Sequence, residues 1–353
     1  MKILVNALSG IGDALMFTPA LIKLKETYSE SQIDALVMYT GVRDIYSRID
    51  AVSNILYHDF LQASYIESLK FVLSLRKKYD ISINIYPSNR KEYNIINFLI
   101  GARKKAAVKY LRRNFSNLGF LNNVLTAEND SLHNVEENIK IIENLTGELF
   151  DSIPSLVFPL TENDLEFGKQ YLFEHRIAEN QSVIGIHPGC STLKNHINRR
   201  WEPDKFAALA LRILESADST ILIFGGHDEK ELKDYIVKKT KSKKVIGVET
   251  KNLLQTAAVM SRCKVFISND SALMHIAAAL KLKIVGIIGP TNPAYIRPWQ
   301  TESKLVSLNL ECSPCFYYSP KPLKCTRNDT KYKCVRELDV DLVMEKVISF
   351  LAG

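Results

Sequence analysis

The chain has 353 residues, of which 46% are hydrophobic and 24% are charged, so it can bury a large core, and its length favours two domains over one. The formal net charge of +7 favours anionic partners such as nucleotide phosphates, acidic glycans or an anionic membrane surface, but it is well below that of a nucleic-acid coat. No run of about 18 or more apolar residues occurs, and the opening MKILVNALSGIGD is interrupted too early for a signal peptide. We therefore expect a cytoplasmic protein.

Short apolar runs alternate with helical patterns along the first half of the chain. Residues 2–8, 33–39 and 80–86 are predicted to be buried strands, and amphipathic stretches separate them. This alternation predicts βα units around a parallel sheet. Residues 150–180 contain two prolines and then one helical pattern, which we interpret as a linker between domains.

The same alternation starts again after this linker. The predicted strands of the second half are 183–187, 220–224, 244–247, 264–268 and 283–288. The fold class is therefore predicted to be α/β, with two Rossmann-like domains in tandem that divide near residue 160. Ligands of such open sheets bind beyond the carboxyl ends of the strands, so we expect the functional residues in the loops that follow them.

The loop after the first strand, SGIGDALMFTPAL, contains Gly10 and Gly12, which permit a tight turn with positive φ and a close approach of the backbone to a ligand. The helix that follows offers free N–H groups to an anion. The third glycine of a dinucleotide-binding G-x-G-x-x-G would fall at Leu15, so the loop disfavours a hydride-transfer enzyme. Asp13 lies where the helix begins, and it either caps the helix or takes part in chemistry.

The loop after residue 187, HPGCSTLKNHINRRWEPDKFAAL, is rich in hydroxyl and cationic side chains and ends in a helix predicted to start near Pro203. Such a loop is suited to binding a diphosphate through Ser191, Thr192, Arg199 and Arg200. Each of these side chains alone is also typical of a solvated surface. Trp201 is predicted to belong to the core.

In the loop after residue 224, FGGHDEKEL, Gly225 and Gly226 turn the chain before Asp228 or Glu229 at a helix start. A carboxylate just beyond a strand end can accept hydrogen bonds from a ribose diol. Helix capping is an equal alternative for this carboxylate.

The loop after residue 268, NDSALMHIAAALKLKIVGIIGPTNP, opens with Asn269, Asp270 and Ser271, one of which is predicted to cap the next helix. That helix places Ser271 and His275 four residues apart on one face. A histidine at this position is also typical of a packed core. The stretch GPTNP after residue 288 brings another glycine and a threonine to the same edge of the sheet.

Four of the six cysteines lie close together in the sequence, at Cys312, Cys315, Cys325 and Cys334. The first pair has the two-residue spacing of a zinc knuckle, but the other two do not form a second close pair. We therefore favour reduced thiols in a folded loop over a bound metal or disulfides.

The stretch GARKKAAVKYLRRNF, residues 101–115, concentrates positive charge. Its cationic side chains are Arg103, Lys104, Lys105, Lys109, Arg112 and Arg113. We interpret the stretch as a solvated face. The alternative is a contact with a phosphorylated glycolipid or with the anionic inner face of the membrane.

Together, GIGDALMFTPAL, IGIHPG…RRW, FGGHDEKEL and NDSALMHIAAALKLKIVGIIGPTNP resemble the family 9 glycosyltransferases, the heptosyltransferases of lipopolysaccharide core assembly. Their order and spacing hold across nearly the whole chain, and the CxPC element at 312–315 resembles the C-terminal part of that family. The resemblance implies a GT-B fold, in which two Rossmann-like domains face each other across a cleft. It also implies that residues 1–160 bind the acceptor, that residues 161–353 bind the nucleotide-sugar donor, and that transfer is inverting and independent of metal.

The resemblance implies roles for individual residues as well. Asp13 matches the family's proposed general base, and Arg199 falls where the family has a lysine near the donor phosphates. Glu229, or Asp228, matches the ribose-binding carboxylate. Lys251 falls where the protein backbone of the family contacts the nucleobase of the donor. The residues that match those holding the sugar and diphosphate are Asp270, Ser271, Ala272 and His275, with Ala272 in place of a glycine.

The resemblance makes ADP-heptose the expected donor and an acidic glycolipid or oligosaccharide the expected acceptor, with no cofactor and no nucleic-acid partner. No candidate donor loop carries an Asp-x-Asp pair, so Arg199, Arg200, Ser271 and the helix N-terminus at 271–273 would replace a metal on the leaving diphosphate. One alternative is an enzyme of the same fold that uses another nucleotide sugar for capsule or other glycan synthesis. The other is a non-catalytic nucleotide-sugar-binding protein, which the presence of Asp13 disfavours.

Overall fold

The computed structural model describes residues 1–317 and 322–351 and contains two compact units. The first unit comprises Met1–Pro159, and the described part of the second comprises Leu160–Tyr317 and residues 322–351. Each unit is built on one six-stranded sheet. Within the described residues, every helix is too short or too polar to cross a membrane.

The first unit alternates strands and helices. Its strands are β1 (Lys2–Ala7), β2 (Gln32–Val37), β3 (Asn54–Tyr57), β4 (Ile81–Asn84), β5 (Lys104–Lys109) and β6 (Val124–Ala127). Its α-helices are α1 (Ile11–Met16), α2 (Thr18–Thr27), α3 (Thr40–Tyr46), α4 (Tyr65–Ser74), α5 (Lys91–Ile100) and α6 (Asn134–Thr146). A short 3₁₀ turn, Gly119–Leu121, precedes β6.

The second unit follows the same plan after an initial helix. Its strands are β7 (Ser182–His187), β8 (Ser219–Ile223), β9 (Val245–Gly247), β10 (Val265–Asn269), β11 (Lys283–Ile287) and β12 (Ser303–Val306). Its described α-helices are α7 (Glu162–Glu174), α8 (Pro203–Ser216), α9 (Lys230–Thr240), α10 (Leu253–Met260), α11 (Ala272–Ala279), α12 (Pro293–Ile296), α13 (Lys333–Arg336) and α14 (Val340–Leu351). The loops after β7 and β8 contain 3₁₀ turns at Leu193–Arg199 and His227–Glu229.

Both sheets have the doubly wound strand order. The first sheet runs β3-β2-β1-β4-β5-β6, and the second runs β12-β11-β10-β7-β8-β9. Helices connect the parallel strands, so central strands are covered on both faces; every residue of β1 after Lys2 is buried. The order reverses between β1 and β4 and between β7 and β10, and ligands of this fold bind at the carboxyl ends of those strands.

The predicted α/β class and parallel sheets are confirmed, and each strand predicted from the apolar runs is present. The prediction missed β3, β5, β6 and β12. The interpretation of residues 150–180 as a linker is wrong for the part that forms α7. This helix belongs to the second unit, where it packs on α10. The contact is so close that a Cβ on Gly168 would lie 2.5 Å from the carbonyl oxygen of Ala258.

The core of the second unit fixes the loop between β7 and α8. Trp201 is 1% exposed and packs with Phe206 and the apolar residues of the sheet, as predicted. Its backbone N–H donates to Oδ1 of Asn269 at 3.0 Å, and its Nε1 donates to the carbonyl of Leu338 at 2.8 Å. The residues just before Trp201 are therefore held against the end of β10.

Candidate functional site

Three loops meet at the carboxyl ends of β7 and β10. His187, the last residue of β7, pairs in register with Ser268 of β10. Its Nδ1 lies 2.9 Å from Oγ of Ser271, and its Nε2 lies 3.1 Å from Oε2 of Glu229. Arg200 donates to Oε1 of Glu229 at 3.0 Å. Ser271, His187, Glu229 and Arg200 therefore form one hydrogen-bonded series, the His187 chain, which joins the loops after β7, β8 and β10.

The carboxylate of Glu229 determines the hydrogen-bond roles in the His187 chain. Burial raises the pKa of Glu229, but the hydrogen bond and charge of His187, the N–H of Gly226 and the charge of Arg200 together hold it below its ordinary value. An ionised carboxylate only accepts hydrogen bonds, so Nε2 of His187 carries a proton. The other ring nitrogen, Nδ1, lies within hydrogen-bond distance of the hydroxyl of Ser271.

A second ion pair lies at the same edge of the sheet. Arg199 donates to Oδ2 of Asp270 at 2.6 Å, and Thr291 donates to the same oxygen at 2.7 Å. The guanidinium carbon of Arg199 also lies 5.4 Å from the ring centroid of Phe316, which is a cation–π contact. The side chains of Arg199 and Asp270 are only 11% and 9% exposed. Two guanidinium groups are thus held in place by buried carboxylates.

Ser271 occupies the N-cap position of α11, but the expected side-chain cap is not made. Its hydroxyl lies within hydrogen-bond distance of His187 and Ser268 instead. Asn269 accepts from Trp201, and Asp270 holds Arg199. The side chains of Asn269, Asp270 and Ser271 therefore all bond to other parts of the fold. Among the described residues, the first N–H groups of α11 have no side-chain cap. The positive end of the helix dipole can face an anion.

His275 lies on α11 with 3% exposure, as a packed residue. Burial lowers its pKa to about 4; the charge of Asp270 opposes this shift, and that of Arg199 adds to it. His275 is therefore neutral at physiological pH. Its Nδ1 is buried and has no hydrogen-bond partner among the described residues. His275 therefore brings no positive charge to this edge of the sheet.

Asp13 is the third residue of α1, at the carboxyl edge of the first sheet. Its Oδ2 accepts the N–H of Gly10 at 3.2 Å, so the capping role is observed. Burial raises the pKa of Tyr39, Tyr93 and Tyr110, and the charge of Asp13 adds to each increase, which indicates three phenols in its neighbourhood. Asp13 is half-buried in a polar, aromatic setting.

The glycines before Asp13 do not adopt the positive φ that the sequence suggested. Gly10 has φ −63 and ψ 168, and Gly12 lies inside α1. The reason is that three residues join β1 to α1 and the last of them, Gly10, is extended, so no left-handed turn is needed. A Cβ at Gly10 would meet Oδ2 of Asp13 at 3.5 Å, an ordinary contact.

Several other predicted site residues lie outside these two clusters. Ser191 and Thr192 are exposed, and Oγ of Ser191 accepts the N–H of Leu193 at 3.3 Å. Lys251 is exposed just before α10. Asp228 is exposed, so Glu229 is the carboxylate of that loop that enters the cluster. Ala272 is half-buried as the first residue of α11.

The four clustered cysteines line one small cavity. The N–H of Tyr332 donates to Sγ of Cys325 at 3.3 Å, and Arg327 donates to Sγ of Cys312 at 3.5 Å. All are free thiols. Within the described residues, no group of three or more His, Cys, Asp or Glu side chains is arranged to hold a metal ion.

Sequence reasoning missed His187 and Phe316. The apolar pattern predicts His187 only as the end of a strand, although the last residue of a parallel strand at the switch point is where ligand-binding groups are expected. That position was the available signal. Phe316 follows β12 by ten residues in an irregular loop, and only the tertiary fold brings it onto Arg199.

Comparison with known proteins agrees with this architecture. The model of glycosyltransferase family 9 (heptosyltransferase) matches residues 68–325. The chain is 28% identical to lipooligosaccharide heptosyltransferase 2 of Campylobacter jejuni serotype O:2, over 99% of this chain and 98% of that one. It is 25% identical to lipopolysaccharide heptosyltransferase 2 of Escherichia coli K12, over 87% and 88% of the two chains.

Solved structures show the same fold. The ADP-heptose lipopolysaccharide heptosyltransferase II of E. coli superposes with a TM-score of 0.76 at 20% identity, covering 100% of this chain and 99% of that one. A family 9 glycosyltransferase from Veillonella parvula gives a TM-score of 0.71 at 21% identity, covering 86% and 85%. The fold is thus GT-B, and the resemblance seen in the sequence motifs is confirmed. The chain belongs to glycosyltransferase family 9, the heptosyltransferases.

Proposed function

We propose that this enzyme transfers a heptose from ADP-heptose to the growing core of a lipopolysaccharide or lipooligosaccharide, with inversion at the anomeric carbon and Asp13 as general base. The names of the relatives support the sugar and the acceptor class. The observation that carries the donor assignment is the cluster at the ends of β7 and β10, where two arginines and an uncapped helix N-terminus meet. Such an arrangement is suited to a diphosphate.

The second unit would bind the donor. Arg199 and Arg200 supply positive charge, and the N–H groups at the start of α11 supply further donors to the diphosphate. Glu229 already accepts from His187, from Arg200 and from the N–H of Gly226, and a carboxylate has about four lone-pair positions in all, so one position is left for a ribose hydroxyl. Lys251, before α10, is proposed to lie near the base.

The first unit would supply the base. As the acceptor oxygen attacks the anomeric carbon, its proton passes to the Asp13 carboxylate, and the bond between that carbon and the diphosphate oxygen breaks. ADP leaves with the bonding electron pair, and the arginines and α11 stabilise its charge. A carboxylate is a weak base, so proton transfer accompanies attack; such assistance is worth about 10²–10⁴ in rate.

Isothermal titration calorimetry against ADP-, GDP-, UDP- and dTDP-sugars tests the donor assignment. We expect binding of ADP-heptose, and a loss of at least about tenfold in affinity for Arg199→Ala, because a charge-assisted contact to phosphate is lost. Arg297→Ala, at an arginine on the C-terminal side of α12, serves as a control. Preferential binding of another nucleotide would favour the alternative of a different glycan product.

A further inference from the structure

The exposed apolar side chains of the first unit are concentrated on one layer of helices. On α4, Tyr65, Ile66, Leu69 and Leu73 are exposed by 95%, 68%, 47% and 41%. Ile66, Leu69 and Leu73 follow the spacing that aligns side chains on one side of a helix. Amphipathic helices of globular proteins normally turn such a stripe towards the core. On α4 only Val72 is fully buried, and the stripe faces outwards.

The layer continues across α5 and the loop after β5. α4 packs against α5, and the 3₁₀ turn before β6 also packs against α5. Phe98 of α5 is 50% exposed, and Phe115 and Phe120 in the loop are 81% and 53% exposed. The rings of Phe115 and Phe120 lie 5.4 Å apart and form an aromatic pair at the surface. We call the exposed side of α4, α5 and residues 111–120 the α4–α5 face.

This part of the chain also accounts for the net positive charge of the whole protein. Residues 61–120 contain twelve Lys and Arg but three Asp and Glu, a net charge of +9, whereas the whole chain has +7. Lys104 and Lys105 are half-buried and donate to backbone carbonyls, so they do not form a free solvated face. Arg112 and Arg113 are exposed beside Phe115, although Arg112 also pairs with Asp130 at 3.3 Å.

We propose that the α4–α5 face docks on an anionic membrane surface. Exposed aromatic and aliphatic side chains between cationic ones are suited to the interface, where the apolar groups enter the acyl boundary and the cations contact anionic headgroups. Symmetric pairing with a second copy would bring two strongly positive surfaces together, which disfavours a dimer through this face. The docking itself does not depend on the proposed donor or acceptor. It would place the first unit at the surface where a lipid-linked acceptor resides.

Co-sedimentation of the full chain with vesicles tests this proposal. With vesicles of equal parts phosphatidylglycerol and phosphatidylcholine we expect binding that weakens as salt is raised, and with pure phosphatidylcholine at least tenfold weaker binding. No binding to the anionic vesicles overturns the proposal. Self-association that vesicles do not compete with would overturn it in favour of a protein interface.

Variants locate the surface. Phe115→Asp with Phe120→Asp should reduce vesicle affinity at least tenfold, and Arg112→Glu with Arg113→Glu should reduce it similarly. Phe173→Asp, at a phenylalanine of α7 that is 76% exposed, and Lys243→Glu with Lys264→Glu are the matched controls and should bind as the unaltered chain does. Equal losses in the controls would contradict the assignment of the face.

A fluorescent probe at residue 115 tests insertion directly, without a substitution that could reduce vesicle binding by unfolding the protein. Phe115→Trp should show a blue-shifted emission and quenching by brominated lipid when anionic vesicles are added, since the native Trp201 and Trp299 are buried. An unchanged spectrum would show that residue 115 stays in water and would refute insertion of this loop. Activity on a soluble acceptor, unchanged in the Phe115→Asp variant, separates docking from transfer.

Discussion

At the level of single residues, the site depends on pairings that no local pattern specifies. The sequence identified Arg199, Arg200 and Ser271 as residues of interest, and the structure places them in two adjacent clusters. It could not identify His187 as the link between them, because that role requires the registration of β7 beside β10 and the position of the loop after β8. The residue type predicts which hydrogen bonds and ion pairs a side chain can form, whereas the partner that it actually finds depends on the tertiary fold.

His187 is expected to act as a positioning residue for Ser271. His187→Ala should raise KM for the donor at least about tenfold, because Glu229 and Ser271 both lose a buried partner. His187→Asn places an amide near the position of Nδ1 and can still meet Ser271, whereas His187→Gln reaches towards Glu229. We expect Asn to restore KM more fully than Gln in steady-state kinetics.

The control for this prediction is His227→Ala, which alters an exposed histidine in the loop after β8. It should leave KM unchanged. If His187→Ala had the KM and kcat of the unaltered enzyme, the His187 chain would have no part in donor binding.

At the level of elements, long apolar runs were predictable and short or charged strands were not. β1, β7 and β10 are central strands buried on both faces, so their sequences are nearly continuous apolar runs. β3 and β12 are edge strands of four residues each, and Val306 is the one buried residue among the eight. β5, KKAAVK, has lysines at both ends, so its sequence is typical of a solvated stretch. These segments become strands because they pair with a neighbouring strand, and their own hydrophobic pattern does not predict it.

The packing of α7 on α10 provides a test at this level. Gly168→Ala should destabilise the second unit by about 1–3 kcal/mol, because the new methyl group would overlap the carbonyl of Ala258 and the helices must separate. Urea denaturation followed by circular dichroism measures the change. Gly226→Ala, where a Cβ meets nothing within 4 Å, is the control and should have little effect. Equal stability of both variants would contradict the close contact.

At the level of the whole molecule, one buried group in each unit is expected to make the stability depend on pH, and the two dependences have opposite signs. In the first unit, burial raises the pKa of Glu137 to about 7, and the charge of Glu128 adds to the shift. Its contribution to stability is fully present below the unfolded value of about 4.5 and is lost as pH rises through 7. In the second unit the pKa of His275 is lowered to about 4, so its contribution is present above about 6.5 and is lost as pH falls through 4.

Thermal unfolding of Glu137→Gln between pH 4.5 and 8 checks the first half of this prediction. The amide cannot ionise, so the variant should match the unaltered chain near pH 4.5 and should be more stable at pH 8. Glu179→Gln, at an exposed glutamate, should change neither value. A gain of the same size at both pH values would show that Glu137 does not titrate in this range.

The most direct test of the whole account is transfer of radiolabelled heptose from ADP-heptose to a truncated lipooligosaccharide core, with the unaltered chain and with Asp13→Asn. Asparagine can still accept the N–H of Gly10, so the start of α1 is preserved while the base is lost. We expect transfer by the unaltered chain, and a rate lower by about 10²–10⁴ in the variant with ADP-heptose affinity retained. Transfer by Asp13→Asn at the unaltered rate, or none by the unaltered chain from ADP-heptose, would contradict the account.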